Sequence, residues 1–175
     1  MTEGDIVSYH ACLDTVAKER RYLAMPAAPP LEQSRSWVTP HIQQSHPFFV
    51  AVGGAQVVGW CDITPREGEW FSHRGRLGMG IHPDFRRCGI GTRLLHAAVA
   101  HARKIGVERV ELEVFASNHP ARELYERNGF VVEGSLRRAR KFDGDYDDLI
   151  MMALFPKTAP NQAMQRTPTR SVTSL

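Results

Sequence analysis

The stretch Arg86-Arg87-Cys88-Gly89-Ile90-Gly91-Thr92-Arg93-Leu94-Leu95 decides how this chain folds. It lies between an apolar segment ending at Ile81 and an amphipathic run that reaches Ile105. Glycines at 89 and 91 let the backbone turn tightly and leave no side chain in the way of an incoming group. A helix that begins there aims its free N–H groups, and the positive end of its dipole, at the same space. That arrangement suits a pyrophosphate. The spacing Arg-x-x-Gly-x-Gly lacks the third glycine of the dinucleotide fingerprint and the Gly-Lys-Ser/Thr of a P-loop. Taken alone, the hexapeptide fits a phosphate loop and a plain glycine-rich helix start equally well, so the surrounding elements decide.

Upstream, residues 4 to 20 read as a helix, with Ile6, Tyr9, Leu13, Val16 and Ala17 near helical spacing. The prolines at 26, 29 and 30 end it, and a second helix is expected over residues 31 to 44, with Pro40 inside. Residues 48–52 and 56–63 read as two strands joined by a Gly53-Gly54 turn. A third strand is expected over residues 70–81, where Gly75, Gly78 and Gly80 mark a bulge or a close backbone approach. Downstream of Gly89, the residues Ile90, Leu94, Ala98, Ala102 and Ile105 share a helix face that stops at Gly106. Residues 110–115 alternate as a strand, Asn118 caps a helix running through Tyr125 to Asn128, and Gly129 closes it. Residues 130–136 and 146–155 read as a last pair of strands around an Asp143-Gly144 turn. The fold class is therefore α/β, with a mixed, largely antiparallel central sheet and helices on both faces.

Length and composition set the frame. The chain has 175 residues, with 42% hydrophobic and 23% charged, which fits one globular domain over residues 1–155. Residues 156–175 are rich in Thr, Pro, Gln and Ser and are expected to be a flexible C-terminal tail. Lys157, Arg166 and Arg170 place the whole net charge of +3 in that tail, so the domain itself is balanced and nucleic acid is not an expected partner. No apolar run is long enough to span a membrane, and the acidic N-terminus is unlike a signal peptide. Cys12, Cys61 and Cys88 make neither a zinc spacing nor a disulfide framework, which points to a reducing cytoplasm and to no metal.

With the loop and the element order in place, residues from about 5 to 155 resemble the GNAT superfamily of N-acetyltransferases. The resemblance rests on residues 81–95, Ile-His-Pro-Asp-Phe-Arg-Arg-Cys-Gly-Ile-Gly-Thr-Arg-Leu-Leu, and on residues 118–130, Asn-His-Pro-Ala-Arg-Glu-Leu-Tyr-Glu-Arg-Asn-Gly-Phe. One departure is Arg87-Cys88, where many relatives carry a glycine right after the arginine. That position is expected to matter little if it contributes mainly its N–H.

The resemblance implies acetyl-CoA as co-substrate. It implies that a bulged strand ending at Met79-Gly80-Ile81 splays from the strand at residues 111–115 and admits the pantetheine arm. The Ile81 N–H would hold the thioester carbonyl. The N–H groups of Arg86, Arg87, Cys88, Gly89, Ile90, Gly91 and Thr92 would hold the pyrophosphate, and Asn118 would touch the arm. Tyr125, four residues after Ala121, is where the family commonly places its acid.

Acyl transfer to an amine has plain chemical demands. An alkylamine with a pKa of about 10.4 is almost wholly protonated at pH 7, so a proton must be removed. The oxyanion needs a donor, and the leaving thiolate benefits from an acid. Glu69, Glu111, Glu113, His73 and His82 lie on or near the expected site, and none stands out as the base. A water chain would serve as well. The basic cluster at residues 137–141 is balanced by Asp143, Asp145, Asp147 and Asp148 and reads as a solvated hairpin, or as one that lines the acceptor site.

The pattern at residues 130–134 and 143–154 is similar to relatives that acetylate free amino acids or polyamines, so the expected partner is a small-molecule primary amine. Acetylation of a protein N-terminus or lysine is the alternative, and an aminoglycoside acceptor is another. A non-catalytic acyl-CoA-binding module is a further alternative, against which Tyr125 and Asn118 argue. Many members of the family dimerise, and a homodimer is an expectation carried by the resemblance alone.

Overall fold

A computed structural model describes residues 1–156; the expected tail, apart from Pro156, lies outside the described residues. Helix α1 covers Ile6–Lys18 and α2 covers Leu31–Gln43. Strands β1 (Phe48–Gly53), β2 (Gln56–Pro65) and β3 (Arg74–Ile81) form an antiparallel meander. Helix α3 (Ile90–Lys104), β4 (Arg109–Phe115) and α4 (His119–Arg127) follow, and β5 (Val131–Phe142) and β6 (Asp145–Leu154) close the chain. The six strands are ordered β1-β2-β3-β4-β6-β5. Every pairing is antiparallel except β3 with β4, where the α3 crossover forces a parallel one.

The sheet separates two cores. On one face, Leu94, Leu95, Ala98 and Ala102 of α3 pack on Cys61, Ile63, Leu77, Val110, Leu112, Val114 and Met152, with Tyr125 and Phe130 beside them. Each fully buried leucine there contributes about 1.5–3 kcal/mol. Ile105, expected on this face, is exposed because the helix has ended. On the other face, Ile6, Tyr9, Cys12, Leu13 and Val16 of α1 and Val38 of α2 cover Phe48, Val57 and Trp60. Val57 and Trp60 share that face because the β1–β2 register shifts at Ala51/Val52.

Three expectations are corrected. The third strand begins at Arg74, not residue 70, because Phe71 and Ser72 donate backbone N–H bonds to the Gly68 carbonyl and curl the chain into a turn. No bulge interrupts β3 against β2, whose register runs unbroken from Gly59↔Ile81 to Pro65↔Gly75. The glycines serve close approach instead: a Cβ on Gly80 would lie 2.2 Å from the Trp60 ring, and one on Gly75 2.6 Å from Ile63. The fifth strand extends to Phe142, so residues 137–141 are strand and not loop, with Arg140 opposite Asp147. Asp143 and Gly144 both have positive φ, 48° and 94°, as a two-residue hairpin turn requires.

Candidate functional site

Strands β3 and β4 pair over only three residues, Arg74–Arg76 with Arg109–Glu111, and then part. Beyond Arg76, β4 keeps its partner β6 on one side, while β3 keeps only β2. The last residues of β3 therefore present unpaired backbone groups toward the gap, and an extended ligand can hydrogen-bond there as a strand would. A cleft of about 780 Å³ opens at this point, with Met79, Gly80 and Ile81 on one wall and Val114 on the other.

The turn before α3 and its first residues close one end of the cleft, through Arg86, Arg87, Gly89, Ile90, Gly91 and Thr92. The first intrahelical bond of α3 runs from the Arg93 N–H to the Gly89 carbonyl, so the N–H groups of Ile90, Gly91 and Thr92 have no backbone partner. No side chain caps this helix. Gly89 holds φ 75°, and a Cβ on Gly91 would come 3.2 Å from Leu124, which keeps the helix start close to α4. This cradle of free donors fits a pyrophosphate, and the unpaired edge of β3 fits an amide-bearing arm.

Cys88 is the one expected binding residue that does not line the cleft; it is exposed, and its thiol lies 3.3 Å from the Arg86 carbonyl. Arg87 adopts φ 63°, a left-handed conformation that favours glycine. The side chain at this position therefore has a conformational cost beyond what its N–H contributes.

Asn118 and Tyr125 line the opposite side. Asn118 caps α4, its Oδ1 accepting the Ala121 N–H at 3.3 Å, while its amide nitrogen makes no hydrogen bond among the described residues. Tyr125 is buried against Phe130, with ring centroids 5.5 Å apart. Burial first, and then the nearby Cys61 and Asp62, push its hydroxyl well above the ordinary tyrosine value, so it stays protonated and able to donate.

The acids and histidines weighed as bases are mostly engaged or elsewhere. Glu111 accepts from Arg66 at 3.0 Å, from Arg74 at 2.6 Å and from Arg109 at 3.3 Å. Glu113 pairs with Arg76 at 3.1 Å. Glu69 and His73 lie in the turn before Arg74, at the far end of β3 from Ile81. His82 caps the short turn after β3, its Nδ1 accepting the Asp84 N–H, and does not line the cleft.

Sequence reading missed two features. Arg86 turns its guanidinium away from the loop, onto the Ile81 carbonyl at 2.9 Å, onto Glu19 at the end of α1, and over the Tyr22 ring at 4.8 Å. Arg140 likewise donates to the Arg20 and Arg21 carbonyls at 3.4 and 3.3 Å, so the β5–β6 hairpin touches the segment after α1. The second feature is Asp62, only 5% exposed, whose carboxyl burial pushes up to about 8. An acid in the middle of the apolar run at residues 57–63 was the signal available for it. Among the described residues no cluster of three or more His, Cys, Asp or Glu is placed to hold a metal ion, and no helix is long and apolar enough to cross a membrane.

The chain is 36% identical over 118 residues to an N-alpha-acetyltransferase of Sulfurisphaera tokodaii, a match covering 61% of this chain and 67% of that protein. It is 29% identical over 106 residues to an L-amino acid N-acetyltransferase of Escherichia coli, covering 60% and 65%. A mycothiol acetyltransferase of Geodermatophilus obscurus is 37% identical over 99 residues, 53% of this chain, which spans only 32% of that longer protein. The solved ribosomal-protein-alanine N-acetyltransferase of Brucella melitensis superposes with a TM-score of 0.81 at 26% identity, covering 89% of this chain and 96% of that one. The model of the acetyltransferase (GNAT) family matches residues 14–130, and the chain belongs to that family.

Proposed function

We propose that this protein moves the acetyl group of acetyl-CoA to the primary amine of a small molecule, by direct attack within a ternary complex. The observation that carries the reading is the parting of β3 from β4 beside both the uncapped start of α3 and the Tyr125 hydroxyl. Acetyl-CoA supplies an activated thioester. The N–H groups from Arg87 to Thr92 bind its pyrophosphate, with Cys88 contributing backbone only, while the Arg86 N–H, expected in the same role, donates to the Pro83 carbonyl at 3.3 Å instead. The edge of β3 at Met79 and Gly80 orients the arm, Asn118 offers its amide, and the Ile81 N–H stabilises the oxyanion. The amine nitrogen bonds to the carbonyl carbon and loses a proton through water to solvent, the C–S bond breaks, Tyr125 gives its proton to the departing sulfur, and solvent returns a proton to Tyr125.

A small acceptor is favoured by the way Val16 and Tyr22 cover the cleft, with the segment after α1 tied down through Arg86 and Arg140. A second reading, a polypeptide N-terminal α-amine, is supported by the similarity to the N-alpha-acetyltransferase. The test is CoA-thiol release from acetyl-CoA with a panel of free amino acids, polyamines, aminoglycosides and short peptides. Release with one amine class, lost in Tyr125→Phe, supports the transferase and identifies the acceptor class. Release with peptides alone moves the assignment to the second reading. Binding of acetyl-CoA without release on any amine overturns both.

A further inference from the structure

We propose that Arg140 is a positioning residue that sets the acceptor opening of the cleft, by tying the segment after α1 to the turn before α4; the assignment rests on the acetyl-transfer reading above. Arg140 owes its place to a slip in the β5–β6 ladder. The register runs through Leu136↔Leu149 and resumes at Arg140↔Asp147. An unbroken ladder would put Arg138 opposite Asp147. Arg138 instead bulges out at φ 55°, and its N–H donates to Asp148 Oδ1 at 2.8 Å. Bulges re-aim side chains in this way. The side chain re-aimed here is a guanidinium that lies 4.0 Å over the ring of Phe115, the last residue of β4. Phe115 follows Val114, which lines the cleft.

From that position the guanidinium reaches both rims. Its Nη1 donates to the Arg20 and Arg21 carbonyls at 3.4 and 3.3 Å, directly before Tyr22, which lines the cleft. Its Nη2 donates to Asp147 Oδ2 at 3.3 Å. Asp147 in turn holds Ser117 twice, Oδ1 accepting the backbone N–H at 3.3 Å and Oδ2 the hydroxyl at 2.6 Å. Ser117 directly precedes Asn118, which caps α4 and lines the cleft. One chain of bonds therefore joins the Tyr22 rim to the Asn118 rim. Its central pair is largely shielded, with Arg140 21% and Asp147 14% exposed, where charge-assisted bonds are stronger than at a surface. The Arg140 Nε is buried with no partner among the described residues, a costly choice if the side chain served packing alone.

The link requires a fork. Two carbonyls and a carboxylate are held at once by separate nitrogens of one planar group, which a single ammonium cannot do. Cutting the link leaves the segment after α1 fastened at its ends, by Glu19 on Arg86 and by the Ala28 N–H on Asp14 Oδ1 at 3.1 Å. The stretch that carries Tyr22 loosens between those ends. The N–H cradle at the start of α3 touches no member of the link, and Asp147 still holds Ser117. The effect of losing Arg140 therefore falls on the acceptor opening, and cofactor binding is spared.

The test is steady-state kinetics with two amines of different size that both support CoA release, in wild type, Arg140→Met and Arg140→Lys. Arg140→Met is expected to raise the acceptor KM about fivefold to tenfold, with kcat within about threefold of wild type and the acetyl-CoA Kd within about twofold. Its preference for the smaller amine is expected to shrink. Arg140→Lys keeps the charge and is expected to show the same KM rise, because it lacks the fork. A role in stability alone would lower Tm and the active fraction, so that kcat would fall alike for both amines with KM unmoved. Should Arg140→Met fail to fold, Arg140→Lys carries the same readout. An acceptor KM unmoved in either folded variant, or a kcat that falls alike for both amines at constant KM, overturns the assignment alone. A wild type that releases no CoA with any amine overturns the transferase reading, and this one with it.

Discussion

Arg86 and Glu19 join two segments 67 residues apart, the turn that starts α3 and the end of α1, through a two-point ion pair whose Nη1–Oε2 bond is 2.9 Å. The same guanidinium holds the Ile81 carbonyl, so the first arginine of the glycine-rich stretch braces the cleft instead of reaching into it. Both partners are about a quarter exposed, which limits what the pair contributes.

Glu19→Ala should therefore loosen the segment after α1 without touching the N–H cradle. A partly exposed charge-assisted pair contributes about 1 kcal/mol, equivalent to roughly a fivefold change. The expected outcome is an acceptor KM raised several-fold with the acetyl-CoA Kd nearly unchanged. A rise in the acetyl-CoA Kd alone would show that Glu19 supports the loop and not the acceptor side.

Gly80→Ala tests the contact with Trp60. A methyl 2.2 Å from the indole cannot be accommodated without moving a ring locked between Tyr9 and the sheet. Overpacking of this kind costs about 1–3 kcal/mol, and a lower Tm is the expected readout. An unchanged Tm would mean that β3 can shift away from β2 at this point.

Much of this was legible from particular residues. Gly89 with Gly91 located the start of α3, Asn118 located the start of α4, and Asp143-Gly144 located the last turn, because each is a local conformational demand that few residues meet. The length of β5 was not legible, since its outer residues are charged and their strand state comes from pairing with β6. The glycines of β3 signalled either a bulge or close approach, and only the facing residues, Trp60 and Ile63, decide between them. Asp62 escaped for the same reason: nothing local reveals that its partner across the ladder is a glycine.

Arg87→Gly probes the strained position in the loop. A non-glycine residue at φ 63° costs about 1–2 kcal/mol, against about 0.5–1 kcal/mol for the added chain entropy of glycine. A gain of about 0.5 kcal/mol in stability is expected by denaturant unfolding. Removing an exposed cation from the cleft wall should weaken acetyl-CoA binding in low salt, and less so in high salt.

Glu111→Gln tests the charged lattice on the β3–β4 face. Burial alone would raise this carboxyl, but hydrogen bonds from Arg74 and Arg66, with Arg109 adding to them, hold it below the ordinary glutamate value of 4.5. A depressed carboxyl stabilises the fold above its unfolded value, and that stability is lost as pH falls through the folded one. The variant is expected to be about 1–3 kcal/mol less stable at pH 7, with the difference from wild type shrinking below pH 4.5. A difference that stays constant down to pH 3 would assign the loss to packing instead of charge.

Tyr125→Phe separates chemistry from packing. The ring sits in the α3-side core beside Phe130, while the hydroxyl makes no hydrogen bond among the described residues. Removing the oxygen should leave Tm and the acetyl-CoA Kd close to wild type. If the hydroxyl protonates the leaving thiolate, kcat falls by about 100-fold or more. Because burial keeps that hydroxyl protonated far above neutrality, wild-type kcat should show no falling limb from it between pH 6 and about pH 10. A variant that keeps wild-type kcat would leave Tyr125 as a core residue, and the proton for the thiolate would have to come from solvent.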